Sequence, residues 1–310
     1  MSRIHEALKK AEQERAAGMG GAAPSGVAAP PPEPQQVYPE APAAAASESA
    51  SGAAAMPAFS APYSQEALLA RCPQMEWKPD LASTLFMNGN ESAKGTEEYR
   101  TLRSRLYLLR EKMPLKTLLI TSALPKEGKT FTACNLAQVF VRQHGRRVLL
   151  VDADLRGPRL HVMLGTASRP GLSDYLQGTS DEFGVMQRGP MENLFFVPSG
   201  SELTDPADVV GNGRLKVLLQ RVEPLFDWII VDSPPAIPVS DASVLAKACD
   251  GVLMVVRSNS TPSDVARKAR MEFPEQSLVG VVLNGTSEGV VPYARYYYEA
   301  YEKKGTKVQS

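Results

Sequence analysis

The stretch TLLITSALPKEGKTFTACN, residues 117–135, decides how the rest of the chain is read. A short apolar run breaks into a loop carrying Gly128, Lys129 and Thr130, and a helical pattern follows. Strand, loop and helix in that order gather backbone N–H groups, the positive end of a helix and one lysine around a single point. Such a cradle suits a polyanion, for example a nucleoside triphosphate. Gly128 lets the backbone approach closely, Lys129 reaches the β- and γ-phosphates, and Thr130 offers its hydroxyl to Mg²⁺. The candidate nucleotide-binding residues are therefore Ala123, Leu124, Pro125, Lys126, Glu127, Gly128, Lys129, Thr130 and Phe131. Two of them depart from the usual pattern. Ala123 stands where the loop normally begins with glycine, and Lys126 stands where a small residue is expected.

Working outward, RVLLVDADLRGPR (147–159) supplies an apolar run that closes on Asp152 and Asp154. DWIIVDSPPA (227–236) repeats the device, with Asp232 at the end of the run. Uninterrupted apolar runs closing on acids are what strands of a parallel sheet look like when both faces are buried and their carboxyl ends open on a ligand. Runs at 251–256 and 278–283 continue the series, and LFFVPSG from Leu194 adds another strand. Helical patterns at 131–144, 214–222, 241–248 and 261–271 lie between them. Strands alternating with helices predict an α/β fold with a doubly wound, mostly parallel sheet flanked by helices. Its strand ends bring Lys129, Asp152, Asp154 and Asp232 into one crevice.

Those acids have a use there. Mg²⁺ prefers oxygen ligands and keeps several waters, so Thr130, Asp152 and Asp232 together with nucleotide phosphates make a sensible shell. In phosphoryl transfer to a hydroxyl, a lysine stabilises the developing charge while a carboxylate orients the nucleophile and takes its proton. Lys129, Asp152 and Asp154 are the candidates for that work. One of the two acids after Val151 can instead serve only to shape its loop through backbone hydrogen bonds.

The remainder narrows the class. Thirty-four Lys and Arg balance thirty-four Asp and Glu in 310 residues, so no overall field draws the chain to nucleic acid. Cys72, Cys134 and Cys249 are scattered without metal-ligand spacing, which predicts packing in a reduced compartment. No run approaches the ~20 apolar residues of a membrane span, so no direct membrane span is expected. The opening residues 1–17 have Ile4, Ala7, Leu8 and Ala11 on one helical face, a short amphipathic helix. Residues 18–62, dominated by Ala, Pro, Gly and Ser, read as a disordered N-terminal extension that tethers it. The main domain is expected over 63–290, with a flexible tail at 291–310. In residues 91–113, Tyr99, Leu102, Leu106 and Leu109 form the inner face of a helix, while Glu97, Arg100 and Arg103 recur at three-residue intervals.

Three motifs in order, TSALPKEGKT, VLLVDADLR and IIVDSPP, closely resemble the bacterial tyrosine kinases of capsule and exopolysaccharide synthesis, the BY-kinases. The resemblance runs from about Glu97 to Tyr301, and GLSDYLQG, VPSG and LVGVVLN also fit it. It implies a P-loop NTPase fold of the deviant Walker A type, with ATP and Mg²⁺ as cofactors. Lys129 and Thr130 then belong to Walker A, Asp152 and Asp154 to Walker A′, and Asp232 to Walker B. The family's E-x-x-R-x-x-R helix, which assembles rings, is matched by Glu97, Arg100 and Arg103, implying a homo-oligomer. Asn284, ending the last strand, is a candidate adenine contact by analogy with related P-loop proteins. Tyr293, Tyr296, Tyr297, Tyr298 and Tyr301 match the family's tail of autophosphorylation sites. The resemblance further implies a cytoplasmic enzyme recruited to the inner face of the membrane by a transmembrane polysaccharide co-polymerase or adaptor. Two other readings stay open: a ParA/MinD-like ATPase switch, whose signature lysine would fall at Leu124, and a nucleotide-binding scaffold without kinase activity.

Overall fold

Alternate residues of the central strands drop into two different apolar clusters. Leu119, Leu149, Val151, Ile229 and Val231 belong to one, and Leu118, Ile120, Val148, Leu150, Trp228 and Ile230 to the other. A strand's side chains alternate between faces, so both faces of this sheet are covered, as the unbroken apolar runs predict. The computed structural model describes residues 64–87 and 95–286. The N-terminal helix, the Ala/Pro-rich tether and the tyrosine tail lie outside the described residues.

In chain order the elements begin with helices α1 (Gln65–Arg71) and α2 (Thr96–Arg110), strand β1 (Thr117–Ser122) and helix α3 (Lys129–Val141). Strand β2 (Val148–Asp152), helices α4 (Leu160–Leu164) and α5 (Leu172–Gln177) and strands β3 (Gln187–Arg188) and β4 (Leu194–Val197) follow. Helices α6 (Pro206–Val210) and α7 (Arg214–Val222) lead to β5 (Trp228–Asp232) and α8 (Asp241–Ala246). The described part closes with β6 (Gly251–Arg257), α9 (Ser263–Met271) and β7 (Leu278–Asn284). The strand order is β3-β4-β2-β5-β1-β6-β7, and every pairing is parallel except β3 with β4. Helices α2, α3 and α4 bury side chains on one face; α1 and α5 to α9 bury theirs on the other.

The expected strands and helices are present with shifted ends. The first crossover helix starts at Lys129 rather than 131 and stops at Val141, because the phosphate loop runs straight into it. The helix expected at 241–248 ends at Ala246, and the one expected from 261 starts at Ser263, since Pro262 sits at its N-cap in extended backbone. Of the four residues expected on the inner face of α2, Leu106 is fully buried, and Tyr99, Leu102 and Leu109 are half-buried against the same cluster.

Residues 64–87 have enough apolar residues to pack locally but carry no motif that suggests a mechanism, and they strap the molecule together. The Trp77 indole N–H donates to Gln187 Oε1 at 3.1 Å. The Leu85 and Phe86 backbone N–H groups donate to Asn135 Oδ1 at 2.8 Å and Gln138 Oε1 at 3.1 Å. Asn135 and Gln138 are wholly buried in α3, and the strap supplies the partners that buried amides require.

Candidate active site

The loop between β1 and α3 is shaped at three points. Gly128, the N-cap of α3, has φ +98°, and a Cβ there would lie 2.0 Å from Asn284 Nδ2. Only glycine accepts both the left-handed backbone and that close approach. Lys126 also lies in the left-handed region, with φ +67°, a strained conformation for a side chain with a Cβ. Ala123, by contrast, is not among the positive-φ residues and its methyl group is buried in the core. Alanine therefore fits where the usual pattern has glycine, because the backbone at that point makes no demand for glycine.

Parallel pairing then sets the acids. Asp152 and Asp232 are register partners on β2 and β5, and Ile120 of β1 pairs with Asp232 on its other side. Both aspartates are fully buried. Asp152 Oδ2 accepts from the Leu160 N–H at 3.1 Å, whereas its Oδ1 and both oxygens of Asp232 find no hydrogen-bond partner among the described residues. Asp154, two residues beyond the strand, accepts from Lys129 Nζ at 2.6 Å and from the Gly157 N–H at 3.0 Å. Lys129 Nζ also lies 3.2 Å from Thr130 Oγ1.

The electrostatics follow from this crowding. Burial pushes the Asp232 carboxyl up to about 6, although the Lys129 ammonium pulls it down. Burial and then the Asp232 charge push Asp152 well above the ordinary range. Burial works against the charge on Lys129, but Asp232, Asp154 and Asp152 outweigh it and hold its pKa above that of a free lysine. One ammonium thus faces three carboxylates, and three buried carboxylate oxygens are unsatisfied. Such oxygens fit a hard divalent cation. Among the described residues no cluster of three or more Asp, Glu, His or Cys side chains forms a metal cage by itself. A cation here would draw further ligands from Thr130, water and phosphate oxygens.

Above the acids a cleft of about 550 Å³ opens, walled by Lys126, Lys129, Thr130, Phe131, Asp154 and Arg159 among others. Residues missed in the sequence also shape it. Arg156 forks onto Asp241, Nε to Oδ2 at 2.7 Å and Nη2 to Oδ1 at 3.1 Å, pinning the loop after β2 to the first turn of α8. Arg159 contributes an exposed guanidinium. Both lie in DLRGPR, where basic residues after a strand-end acid are the only local signal. Pro125, Gly128 and Phe131 border the cleft as the loop pattern predicts, while Leu124 and Glu127 turn into the protein. Asn284 lies at the end of β7 and donates from Nδ2 to the Glu127 carbonyl at 2.9 Å, so its amide is engaged with the loop itself.

The α2 residues lie apart from the cleft. Glu97 and Arg100 form an ion pair within the helix, and Arg103 Nη1 donates to the Val139 carbonyl at 2.9 Å, tying α2 to α3. Cys72 and Cys134 are buried and Cys249 is half-buried, all as thiols, in keeping with packing. Among the described residues no helix is long and apolar enough to cross a membrane.

Comparison with known proteins places this geometry. The profile of an AAA domain matches residues 126–263. The tyrosine-protein kinase YwqD of Bacillus subtilis is 34% identical over 192 residues, covering 61% of this chain and 81% of YwqD. The tyrosine-protein kinase CpsD of Streptococcus agalactiae is 33% identical over 211 residues, covering 66% of this chain and 90% of CpsD. Among solved structures, the kinase domain of the Escherichia coli tyrosine kinase ETK superposes with a TM-score of 0.60 at 28% identity, covering 66% of this chain and 82% of that one.

Proposed function

The chain belongs to the bacterial tyrosine-kinase family, and from that premise we propose that it transfers the γ-phosphoryl group of Mg-ATP to tyrosines of its own C-terminal tail. The observation that carries the chemistry is the Lys129 ammonium held over Asp154 beside two register-paired aspartates with three unmatched oxygens. The reading is of one protomer acting on the tail of another.

Each residue has a part. Backbone N–H groups of residues 126–130, at the start of α3, bind the phosphates. Lys129 turns from Asp154 to the β- and γ-phosphates and stabilises charge on the transferred group. Thr130, Asp152 and Asp232 would hold Mg²⁺, which when bound neutralises phosphate charge and orients the phosphate oxygens. The tyrosine oxygen bonds to the γ-phosphorus, the bond from that phosphorus to the bridging oxygen of ADP breaks, and the phenolic proton passes to the Asp152–Asp154 pair. Of these two, Asp154 reaches the cleft wall. The acceptors are Tyr293, Tyr296, Tyr297, Tyr298 and Tyr301, and each phosphate adds close to two negative charges. Accumulated charge repels the tail from an acid-lined site.

Ring assembly through Glu97, Arg100 and Arg103, an adenine contact at Asn284, docking on a transmembrane polysaccharide co-polymerase or adaptor, and control of capsule or exopolysaccharide export are the parts of this reading carried by resemblance. Incubation of the full chain with Mg-ATP followed by phosphopeptide mapping tests it. Phosphate on the tail tyrosines, lost in Lys129→Met, supports the kinase. Free phosphate alone indicates an ATPase switch, and nucleotide binding without either indicates a scaffold.

A further inference from the structure

Glu127 carries a carboxylate into the interior, with 2% of its surface exposed. Burying such a group is costly unless its oxygens are matched by donors, and here they are matched from distant parts of the chain. Oε2 accepts from the Leu124 N–H at 2.5 Å, across the phosphate loop. Oε1 accepts from the Arg257 N–H at 3.3 Å, at the end of β6, and from the Thr261 hydroxyl just beyond it. The Glu127 carbonyl accepts from Asn284 Nδ2 at the end of β7. Arg257 also donates back, from Nη1 to the Lys126 carbonyl at 3.0 Å. Glu127 therefore joins three segments on the side of the loop away from the cleft, whose walls it does not line.

We infer that Glu127 is a positioning residue that clamps the phosphate loop in its nucleotide-receiving shape. The inference deepens the proposed function and rests on its reading of the loop as a phosphate site. The loop needs such a device because of its composition. With a lysine held in the left-handed region at 126, its curvature is not the relaxed state of its own residues. An external clamp is required to keep the 126–130 amides turned toward one point, and Glu127 supplies it: its carboxylate ties Leu124 of the loop to Arg257 and Thr261 at and after the end of β6, and its carbonyl is held by Asn284 at the end of β7. The strand ends at Arg257 and Asn284 are thereby coupled to the loop, and Asn284 is the residue from which the chain leads on to its tyrosine-rich segment.

The test uses the full chain and two isosteric variants. Glu127→Gln keeps the shape but has one acceptor oxygen in place of two, so it cannot serve Leu124 and Thr261 together. Thr261→Val removes a single donor. Amide hydrogen exchange without nucleotide is expected to quicken about tenfold at Leu124 and Arg257 in Glu127→Gln, with β2 amides unchanged. Thr261→Val should quicken Arg257 by a smaller factor. Calorimetric affinity for ADP with Mg²⁺ should fall about tenfold in Glu127→Gln at a melting temperature close to that of the wild type. Wild-type exchange at both amides, or an equal acceleration throughout β2, overturns the clamp. If Glu127→Gln does not fold, Thr261→Val decides: wild-type exchange at Arg257 together with wild-type ADP affinity rejects it. A wild-type chain that bound no ADP would sink the proposed function, whereas the exchange data would still decide whether Glu127 holds the loop.

Discussion

Lys129 Nζ lies 2.6 Å from Asp154 Oδ2, with side chains only 11% and 7% exposed. The ammonium is thus held at the cleft by a carboxylate that shares it with two deeper aspartates. Removing one partner of a buried pair leaves the other charged and unmatched, at a cost of about 3–5 kcal/mol. Here the cost of Lys129→Met falls toward the low end, because losing one cation lets the deeper Asp152 and Asp232, already pushed up by burial, take protons. Urea denaturation should show the destabilisation, and Lys129→Met/Asp154→Asn should recover part of it. Phosphoryl transfer should drop at least ~10²-fold in both variants, as expected when a group stabilising transition-state charge is deleted. Recovered stability with recovered transfer would remove Lys129 from the chemistry.

Asp232 sets a pH dependence whose sign is fixed by its burial. Its carboxyl titrates at about 6 in the fold, against an ordinary value of 3.8. The folded state therefore holds this proton more tightly than the unfolded chain does. The destabilisation from the ionised carboxylate is absent below about pH 4, grows as pH rises toward 6, and stays constant above. Asp232→Asn escapes it, so with a chelator present the variant should gain on the wild type by on the order of 3 kcal/mol between about pH 4 and pH 7.5. Added Mg-ATP should reverse the order by stabilising only the wild type. Parallel pH profiles of the two proteins in melting experiments would contradict the assignment.

Lys126 combines a strained backbone with an exposed charge at the cleft wall. Lys126→Gly should relieve roughly 1 kcal/mol of left-handed strain and raise the melting temperature. Lys126→Ala should not, since alanine keeps the Cβ that causes the strain. Both variants should lose ATP affinity by the same few-fold factor, diminishing at high salt, if the ammonium acts by charge alone. Equal melting temperatures for Gly and Ala would show that the loop adopts another path.

Glu97 and Arg103 sit on one helix but are expected to behave differently. Glu97 pairs with Arg100 at the surface, where such pairs contribute about 0–1 kcal/mol. Glu97→Ala should therefore leave the melting temperature nearly unchanged while lowering the assembled mass in sedimentation, if the ridge joins protomers. Arg103→Ala should lower both, because Arg103 also holds the Val139 carbonyl. An unchanged mass in both variants would confine the motif to a role within the protomer.

Periodicity and motif spacing in the sequence determined the alternation of strands and helices, the doubly wound sheet it implies and the four charged residues expected at its crevice. This was possible because each signal is local: an apolar run buried on both faces ends on an acid, and GKT stands between a strand and a helix. Tertiary structure alone decided how those residues meet. Register made Asp152 and Asp232 neighbours and left three of their four oxygens unmatched. The same holds for the long-range partners of the Glu127 clamp, the Arg156–Asp241 fork and the strap over α3, which are separated by 50 to 157 residues. Contacts of that kind leave no periodic trace in a single sequence. They arise where polar groups, carried inside by the apolar elements around them, must find partners from whatever strand or loop the fold brings within reach.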